Sequence, residues 1–358
     1  MPLEVQVVKT LPGFSLDVAF AAPDAPLSVL GPSGSGKSML LRAIAGLEAR
    51  VQGRIALGSR VVLDSARGIH VPARERRVGM LFQHYALFPH RTLEQNVGFG
   101  LAHLPGAERD SRVKRLIERV HLDGLGRRYP RELSGGEQQR AAVARALGTE
   151  PEALLLDEPL SALDTHLRSR MEAELQETFS SYSKPALLVT HNIEEAYRLG
   201  EQLLVLSRGR VIAMGPKEAI FRDPPTMEVA RLTGCKNFSR ARSIAENRIE
   251  AADWDCELRV ARPIARPAAH AGIRAHQIEF LESSPGEGAE NVFPCWVART
   301  SETPFRITLY LKLHQPPKGT GEHHLQAEMF KEKWRAFQGR PFPWLVRLAP
   351  ESVFLLPE

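Results

Sequence analysis

The stretch Gly31-Pro32-Ser33-Gly34-Ser35-Gly36-Lys37-Ser38 decides the fold of this chain. An apolar run at residues 27–30 precedes it, and apolar side chains recur at helical spacing over residues 39–47. A glycine-rich loop between a strand and a helix can wrap its N–H groups around phosphate oxygens at the helix N-terminus. Lys37 adds a positive charge for the phosphates, and Ser38 adds a hydroxyl for Mg²⁺. The stretch therefore predicts a nucleotide-phosphate site in an α/β domain.

Composition limits the classes of protein to consider. The chain has 358 residues, 43% hydrophobic and 25% charged, with a formal net charge of +5. These values fit a globular protein of two domains, and no basic block predicts a nucleic-acid partner. The three cysteines, Cys235, Cys256 and Cys295, lack metal-binding spacing and fit a reducing compartment. Residues 1–9 alternate like a strand rather than a signal peptide, so any work at a membrane would be that of a peripheral subunit.

A second motif, Leu154-Leu155-Leu156-Asp157-Glu158-Pro159, places two acids at the end of a buried strand. Asp157 there can hold Mg²⁺, and Glu158 can polarise an attacking water as general base. His191 follows another apolar strand at residues 186–190, and Gln83 stands in the run Leu81-Phe82-Gln83. Either side chain can reach a phosphate, a metal or a water, but each taken alone is more often an ordinary surface or core residue.

A third motif is Leu133-Ser134-Gly135-Gly136-Glu137-Gln138-Gln139-Arg140, which precedes and opens a predicted helix at residues 137–147. A serine hydroxyl and exposed amides at a helix N-terminus can bind phosphate, although Ser134 can equally serve as a simple helix cap. The most economical explanation for two phosphate-binding elements in one chain is that two copies share two nucleotides.

In this order the motifs, spanning residues 1–235, resemble the nucleotide-binding subunits of ABC transporters. They are similar to the Walker A loop, the Q-loop glutamine, the signature segment, Walker B with its glutamate, the D-loop at residues 161–164 and the switch histidine. The resemblance implies ATP and Mg²⁺ as cofactors, with Gln83, Glu158 and His191 catalytic. The implied metal ligands are Ser38, Gln83 and Asp157, and the implied ATP contacts are Gly31, Ser33, Gly34, Ser35, Gly36, Lys37, Ser38, Ser134, Gly135, Gly136, Asp164 and Phe14.

The resemblance also implies a head-to-tail homodimer. Each ATP would lie between the Walker A loop of one copy and Ser134, Gly135 and Gly136 of the other. Phe14 would stack on adenine, with Phe20 as the alternative aromatic. ATP binding and hydrolysis would close and reopen the dimer and so drive transmembrane permease subunits. The chain would act at the cytoplasmic face of the inner membrane, served indirectly by an extracytoplasmic substrate-binding protein.

Finer resemblance concerns the cargo. Residues 68–72, 76–79 and 87–90 look like those of molybdate-importer ATPases, so we expect import of molybdate or a related oxyanion. Sulfate, ferric iron or polyamine import remains the alternative. A non-transport ABC ATPase and a module that binds ATP without turnover are more distant alternatives. Residues 85–93 fall where importers receive the coupling helix of their membrane subunit.

The predicted secondary structure changes from alternating strands and helices to mostly strands at about residue 235, which predicts two domains. We expect an α/β P-loop NTPase domain of the ABC type at residues 1–234, with a helical subdomain at about residues 84–150. Residues 235–358 would form a small, mostly β accessory domain, similar to an OB or TOBE-like extension. Its role, regulatory anion binding or dimerisation, stays open. Strands are predicted at 272–281, 292–300, 305–313 and 344–348, and a helix at 327–337.

Overall fold

The computed structural model describes residues 2–161, 165–264, 268–282, 286 and 289–357, with backbone alone at residues 165–167. The chain divides into two compact units, Met1–Lys217 and Glu218–Glu358. Within the second unit, the Arg274 guanidinium donates to the carbonyls of Phe221 (3.1 Å) and Thr233 (2.6 Å). These bonds tie residues before 235 to the second unit, so the boundary by contacts lies earlier in the chain. The 234/235 limit remains a prediction for independently folding domains.

The first unit contains one mixed sheet of eleven strands among its described residues. Its strands are β1 Leu3–Leu11, β2 Phe14–Ala22, β3 Pro26–Leu30, β4 Gln52–Leu57, β5 Arg60–Asp64, β6 Ile69–His70, β7 Val78–Leu81, β8 Ala153–Asp157, β9 Ala186–Thr190, β10 Gln202–Ser207 and β11 Arg210–Pro216. They lie in the order β6-β5-β4-β1-β2-β11-β10-β3-β9-β8-β7. The run from β10 to β7 is parallel, and β8 and β9 are buried along their whole length, as expected where both faces of a sheet are covered.

The first unit contains the helices α1 Lys37–Ala45, α2 Leu93–Val97, α3 Gly106–Arg119, α4 Gly135–Gly148, α5 Thr165–Ser180 and α6 Ile193–Leu199, and of these α2, α3 and α4 lie in the interval predicted to be helical. Helix α7 Lys217–Arg222 begins at the last residue of the first unit, and α8 Met227–Leu232 belongs to the second unit. Helices α2, α3 and α4 share an apolar core of their own, with Val97, Ile117 and Ala141 buried together. Among the helices that the structure describes, none is long and apolar enough to cross a membrane.

The second unit is mostly β, as predicted. Its elements are β12 Asn237–Ala245, β13 Arg248–Ala251, β14 Cys256–Arg259, β15 His270–Ile273, β16 Ile278–Leu281, β17 Val292–Glu302, β18 Arg306–Leu313, β19 Leu325–Phe330, α9 Lys331–Phe337, β20 Trp344–Leu348 and β21 Phe354–Leu356. Two antiparallel five-stranded sheets result, in the orders β14-β13-β12-β15-β21 and β16-β20-β17-β18-β19. Together with the first unit, they confirm the predicted fold class.

Two predictions of local structure in the second unit are wrong in detail. The helix predicted at 327–337 begins only at Lys331, because Leu325, Ala327 and Met329 alternate inward and pair β19 with β18. The strand predicted at 272–281 is two strands separated by a 3₁₀ turn at Ala275–Gln277. Tertiary pairing overrode the local helical pattern in the first case.

Candidate active site

Four neighbouring strands end at one edge of the sheet, and a predicted site residue follows each of them. In the order β3, β9, β8 and β7, the strand ends lead into the glycine-rich loop, His191, the pair Asp157 and Glu158, and Gln83. Parallel strands place their carboxyl ends on the same edge of a sheet, which is where α/β proteins bind ligands. The topology therefore gathers residues that lie far apart in the sequence.

The glycine-rich loop adopts a conformation that other residues rarely take. Gly34 and Gly36 have φ angles of 78° and 101°, and Gly36 is the N-cap of α1. A Cβ atom on Gly36 would also lie 2.9 Å from Cζ of Phe14. Ser33 is exposed, whereas the buried Ser35 hydroxyl has no hydrogen-bond partner among the described residues. Glycine at residue 36 is thus required by both torsion angle and space.

Lys37 is folded back over its own loop. Its Nζ donates to the carbonyls of Gly31 at 2.8 Å and Pro32 at 3.0 Å. Burial lowers the pKa of the Lys37 amine, and the carboxylates of Glu158 and Asp157 act in the opposite direction. A buried ammonium held by two carbonyls can exchange them for phosphate oxygens, which bind it more strongly because they are charged.

A hydroxyl and a carboxylate meet beside this lysine. Ser38 Oγ donates to Oδ1 of Asp157 at 2.8 Å, and Asp157 is 7% exposed. Burial raises the pKa of the Asp157 carboxyl, against the effect of the Ser38 hydrogen bond. Two adjacent oxygen ligands of this kind fit Mg²⁺, which usually takes its other ligands from water and phosphate. The part of Gln83 in holding the metal remains a prediction.

The Glu158 carboxylate lies between two other predicted catalytic side chains. Its Oε1 is 3.1 Å from Nδ1 of His191, and its Oε2 is 3.4 Å from Nε2 of Gln83. Glu158 has a φ of 45°, and its N–H donates to the carbonyl of Val189 at 3.0 Å. A non-glycine residue at positive φ stores strain, and such strain is concentrated at functional sites.

The signature segment is a well-formed helix start. Ser134 Oγ accepts from the N–H of Glu137 at 3.4 Å, and Oε2 of Glu137 accepts from the N–H of Ser134 at 2.7 Å. These bonds form the capping box of α4, and the hydrogen bond from the Ser134 N–H lowers the pKa of the Glu137 carboxyl. Gly135 and Gly136 occupy the first turn, where N–H groups have no intrahelical partner. Within one chain Ser134 is therefore a cap, and its phosphate contact remains a prediction.

Two further predicted contacts remain predictions. Phe14 packs against the core beneath the loop, and its ring lies against Gly36. Phe14 is partly buried, so only the exposed part of its ring could stack on adenine. Asp164 lies outside the described residues. Ser161, three residues earlier in the sequence, donates its hydroxyl to the carbonyl of Glu158 at 2.9 Å, so the start of the predicted D-loop contacts the backbone of Glu158.

Sequence reasoning missed the residues that hold the segment after Gln83. The fully buried Asn96 side chain donates to the carbonyl of Phe88 at 3.2 Å and accepts from its N–H at 2.8 Å. The Arg145 guanidinium donates to the carbonyls of Ala86 at 2.7 Å and Tyr85 at 3.0 Å. A lone Asn and a helical Arg carry no sequence signal for this role, because it depends on tertiary contacts.

Comparison with known proteins finds sequence similarity to ATP-binding proteins of transporters. The family model described as "ABC transporter" matches residues 20–161. A sulfate/thiosulfate import ATP-binding protein of Ralstonia nicotianae is 39% identical over 288 residues, covering 75% of this chain and 74% of that protein. A spermidine/putrescine import ATP-binding protein of Oleidesulfovibrio alaskensis is 42% identical over 214 residues, covering 59% of this chain and 56% of that protein.

A solved structure is similar to part of the chain. A dimeric ATP-binding cassette solved in a post-hydrolysis state with ADP and phosphate has a TM-score of 0.52 and 29% identity. It covers 60% of this chain and 98% of the chain of the solved structure.

A sulfate/thiosulfate import ATP-binding protein of Synechocystis is 43% identical, and the match spans 61% of this chain and 61% of that protein. The long match to the Ralstonia protein, together with the intact motifs, shows that this chain belongs to the ABC transporter family of ATP-binding proteins.

Proposed function

We propose that this chain binds ATP with Mg²⁺ and hydrolyses it, with Glu158 as the general base. The position of the Glu158 carboxylate between Gln83 and His191, beside the Ser38–Asp157 pair, supports the proposal most directly. Glu158 would accept a proton from the water that attacks the terminal phosphorus, as the bond to the bridging oxygen breaks and ADP leaves. Bound magnesium would supply positive charge to the phosphate oxygens, held by Ser38 and Asp157.

The other side chains of the site would orient and stabilise. Lys37 would neutralise charge on the β- and γ-phosphates, since its ammonium already lies inside the loop. His191, 55% exposed, would contact the γ-phosphate and keep the water in line with the bond that breaks. The Gln83 side chain would contact both the attacking water and the metal. The Glu158 carboxylate thus acts on a water that its neighbours position.

Replacing Glu158 tests the general base. Glu158→Gln keeps the shape and loses the proton acceptor, so we expect ATP turnover to fall by at least ~10² while ATP binding persists. Glu194→Gln is the matched control, because Glu194 is an exposed acid of α6 that pairs with Arg198. If Glu158→Gln hydrolyses ATP as fast as the parent, the assignment fails.

We further propose that the active form is a head-to-tail homodimer. The loop at residues 31–38 and the helix start at Ser134 are two phosphate-binding elements in one chain, and a second copy would supply one to the other. The dimeric state of the solved cassette with ADP and phosphate supports this arrangement. In it, Ser134, Gly135, Gly136 and Asp164 of one copy would complete the site of the other.

Transmembrane permease subunits would be the further partners. The segment at residues 85–93 borders a surface cavity of about 1070 Å³, lined by Arg91, Phe99 and Arg127 among others. Phe99 is 47% exposed, and its ring lies 4.5 Å from that of Phe88. A partly apolar groove of this size fits a helix of a membrane subunit. The chain would then work peripherally at the cytoplasmic face of the inner membrane, with an extracytoplasmic substrate-binding protein acting indirectly.

The cargo we propose is an oxyanion. The relatives named for sulfate/thiosulfate import support the sulfate alternative better than the molybdate interpretation drawn from residues 68–72 and 87–90. The spermidine/putrescine relative keeps polyamine import as a second candidate. Calorimetry of the receptor encoded with this subunit, titrated with sulfate, molybdate and spermidine, tests the choice. Tight sulfate binding is expected, and tight spermidine binding without any oxyanion binding would contradict the proposal.

A further inference from the structure

A closed ring of hydrogen bonds surrounds the backbone of His191. Thr190 donates its hydroxyl to Oε2 of Glu195 at 2.6 Å and accepts from the N–H of Asn192 at 3.0 Å. The Asn192 side chain accepts from the N–H of Glu195 at 3.3 Å, as the N-cap of α6. The residues on either side of His191 are therefore both fixed to the start of α6.

Glu195 is an unusual choice for this ring. Glu195 is 4% exposed. Its second carboxylate oxygen, Oε1, lies 3.8 Å from Nε of Arg168 on α5. A buried carboxylate is costly even when it is paired, and Asn192 already caps the helix. Capping alone therefore does not explain a buried acid here, since a neutral residue would cap without that cost.

We propose that Glu195 is a positioning residue for His191, acting through Thr190 and held in place by Arg168. The proposal rests on ATP hydrolysis at Glu158. The His191 ring is largely exposed, and its Nδ1 lies 3.1 Å from the Glu158 carboxylate. A rigid backbone on both sides confines Nδ1 to the neighbourhood of that carboxylate. Displacement of a catalytic group by about 1 Å can cost on the order of 10² in rate.

The same pair of helices offers a matched control. Glu172 on α5 is 7% exposed, and its carboxylate pairs with Arg198 on α6 at 2.7 Å. This ion pair also joins α5 to α6 around a buried acid, but within the described part of the chain Thr190 bonds to Glu195 and Asn192, whereas Glu172 bonds to Arg198. A purely structural role would make Glu172 and Glu195 equivalent.

The test compares Thr190→Val, Thr190→Ser, Glu195→Gln and Glu172→Gln in the full chain. We expect Thr190→Val and Glu195→Gln to lower kcat by roughly tenfold or more, with the Kd for ATP changed less than about twofold. Thr190→Ser keeps the hydroxyl, so it should retain the parent kcat. Glu172→Gln should also retain the parent kcat. Combined with His191→Ala, Thr190→Val should cause no further loss, because there is nothing left to position.

A second readout does not depend on turnover. The chain has 12 histidines, and His191→Ala identifies the His191 resonance in spectra of ¹³C-labelled imidazole. Thr190→Val should shift and broaden that resonance, and Glu172→Gln should leave it unchanged. Losses that add to that of His191→Ala, or equal effects of Glu195→Gln and Glu172→Gln, would overturn the positioning role. Undiminished turnover in Glu158→Gln would instead overturn the hydrolysis mechanism itself, so the two failures are distinguishable.

Discussion

The loop at residues 31–38 and the signature segment at residues 133–140 are both predicted to bind phosphate, and they have different structures. Both place serine and glycine at the N-terminus of a helix. In the loop, glycines at φ 78° and 101° open the backbone, and Lys37 lies inside. In the signature segment, Ser134 and Glu137 cap each other. The first element is organised for phosphate in one chain, whereas the second is complete as a helix end, and under the proposed function it would meet phosphate only in a dimer.

The largest effect on this comparison should come from Lys37→Met, which keeps the apolar stem and removes the charge. We expect loss of ATP binding by the isolated chain and a fall in turnover of about 10³, because no other ammonium takes its place in the loop. Equilibrium binding of a fluorescent ATP analogue measures this. Lys184→Met is the control, since Lys184 donates to the carbonyl of Pro151, away from the loop. Unchanged binding in Lys37→Met would remove the loop from the site.

An intermediate effect should come from a charge at the signature segment. Ser134→Asp and Ser134→Asn both retain an N-cap for α4 and differ by one negative charge. We expect the Asp variant to turn over ATP at least about tenfold more slowly than the Asn variant, because it repels the phosphate of a partner-bound ATP. Binding of ATP by dilute, monomeric protein should be equal in the two. Equal turnover would mean that Ser134 is only a cap.

The smallest effect concerns stability. Burial raises the folded-state pKa of Asp157 above its unfolded value, so the folded state binds the proton more tightly. Stability should therefore fall as pH rises through the interval between the two pKa values and stay lower above it. Asp157→Asn removes this penalty, so we expect a higher unfolding midpoint without nucleotide at neutral pH. A gain of ~1 kcal/mol would raise the midpoint by about 2–4 °C. Calorimetry without nucleotide, at acidic and neutral pH, measures it. A lower midpoint at neutral pH would contradict the account.

The sequence predicted the residues of the site better than the residues that hold them in place. Gln83, Glu158 and His191 converge as expected, because each follows a strand of one parallel sheet. The roles of Asn96, Arg145 and Glu195 were not predictable, since each depends on contacts made by another part of the fold. The helical pattern at residues 327–330 failed for a related reason, because pairing with β18 decided their structure.

The most direct test of the shared site mixes two chains that each have impaired turnover. One carries Lys37→Met with an intact signature segment, and the other carries Ser134→Asp with an intact loop. If each site combines the loop of one copy with Ser134 of another, mixed dimers contain one intact site. Random pairing should then restore about a quarter of the parent ATP turnover. If both elements act within one chain, no mixed dimer contains an intact site. Turnover no higher than that of the separate variants would therefore contradict the shared site.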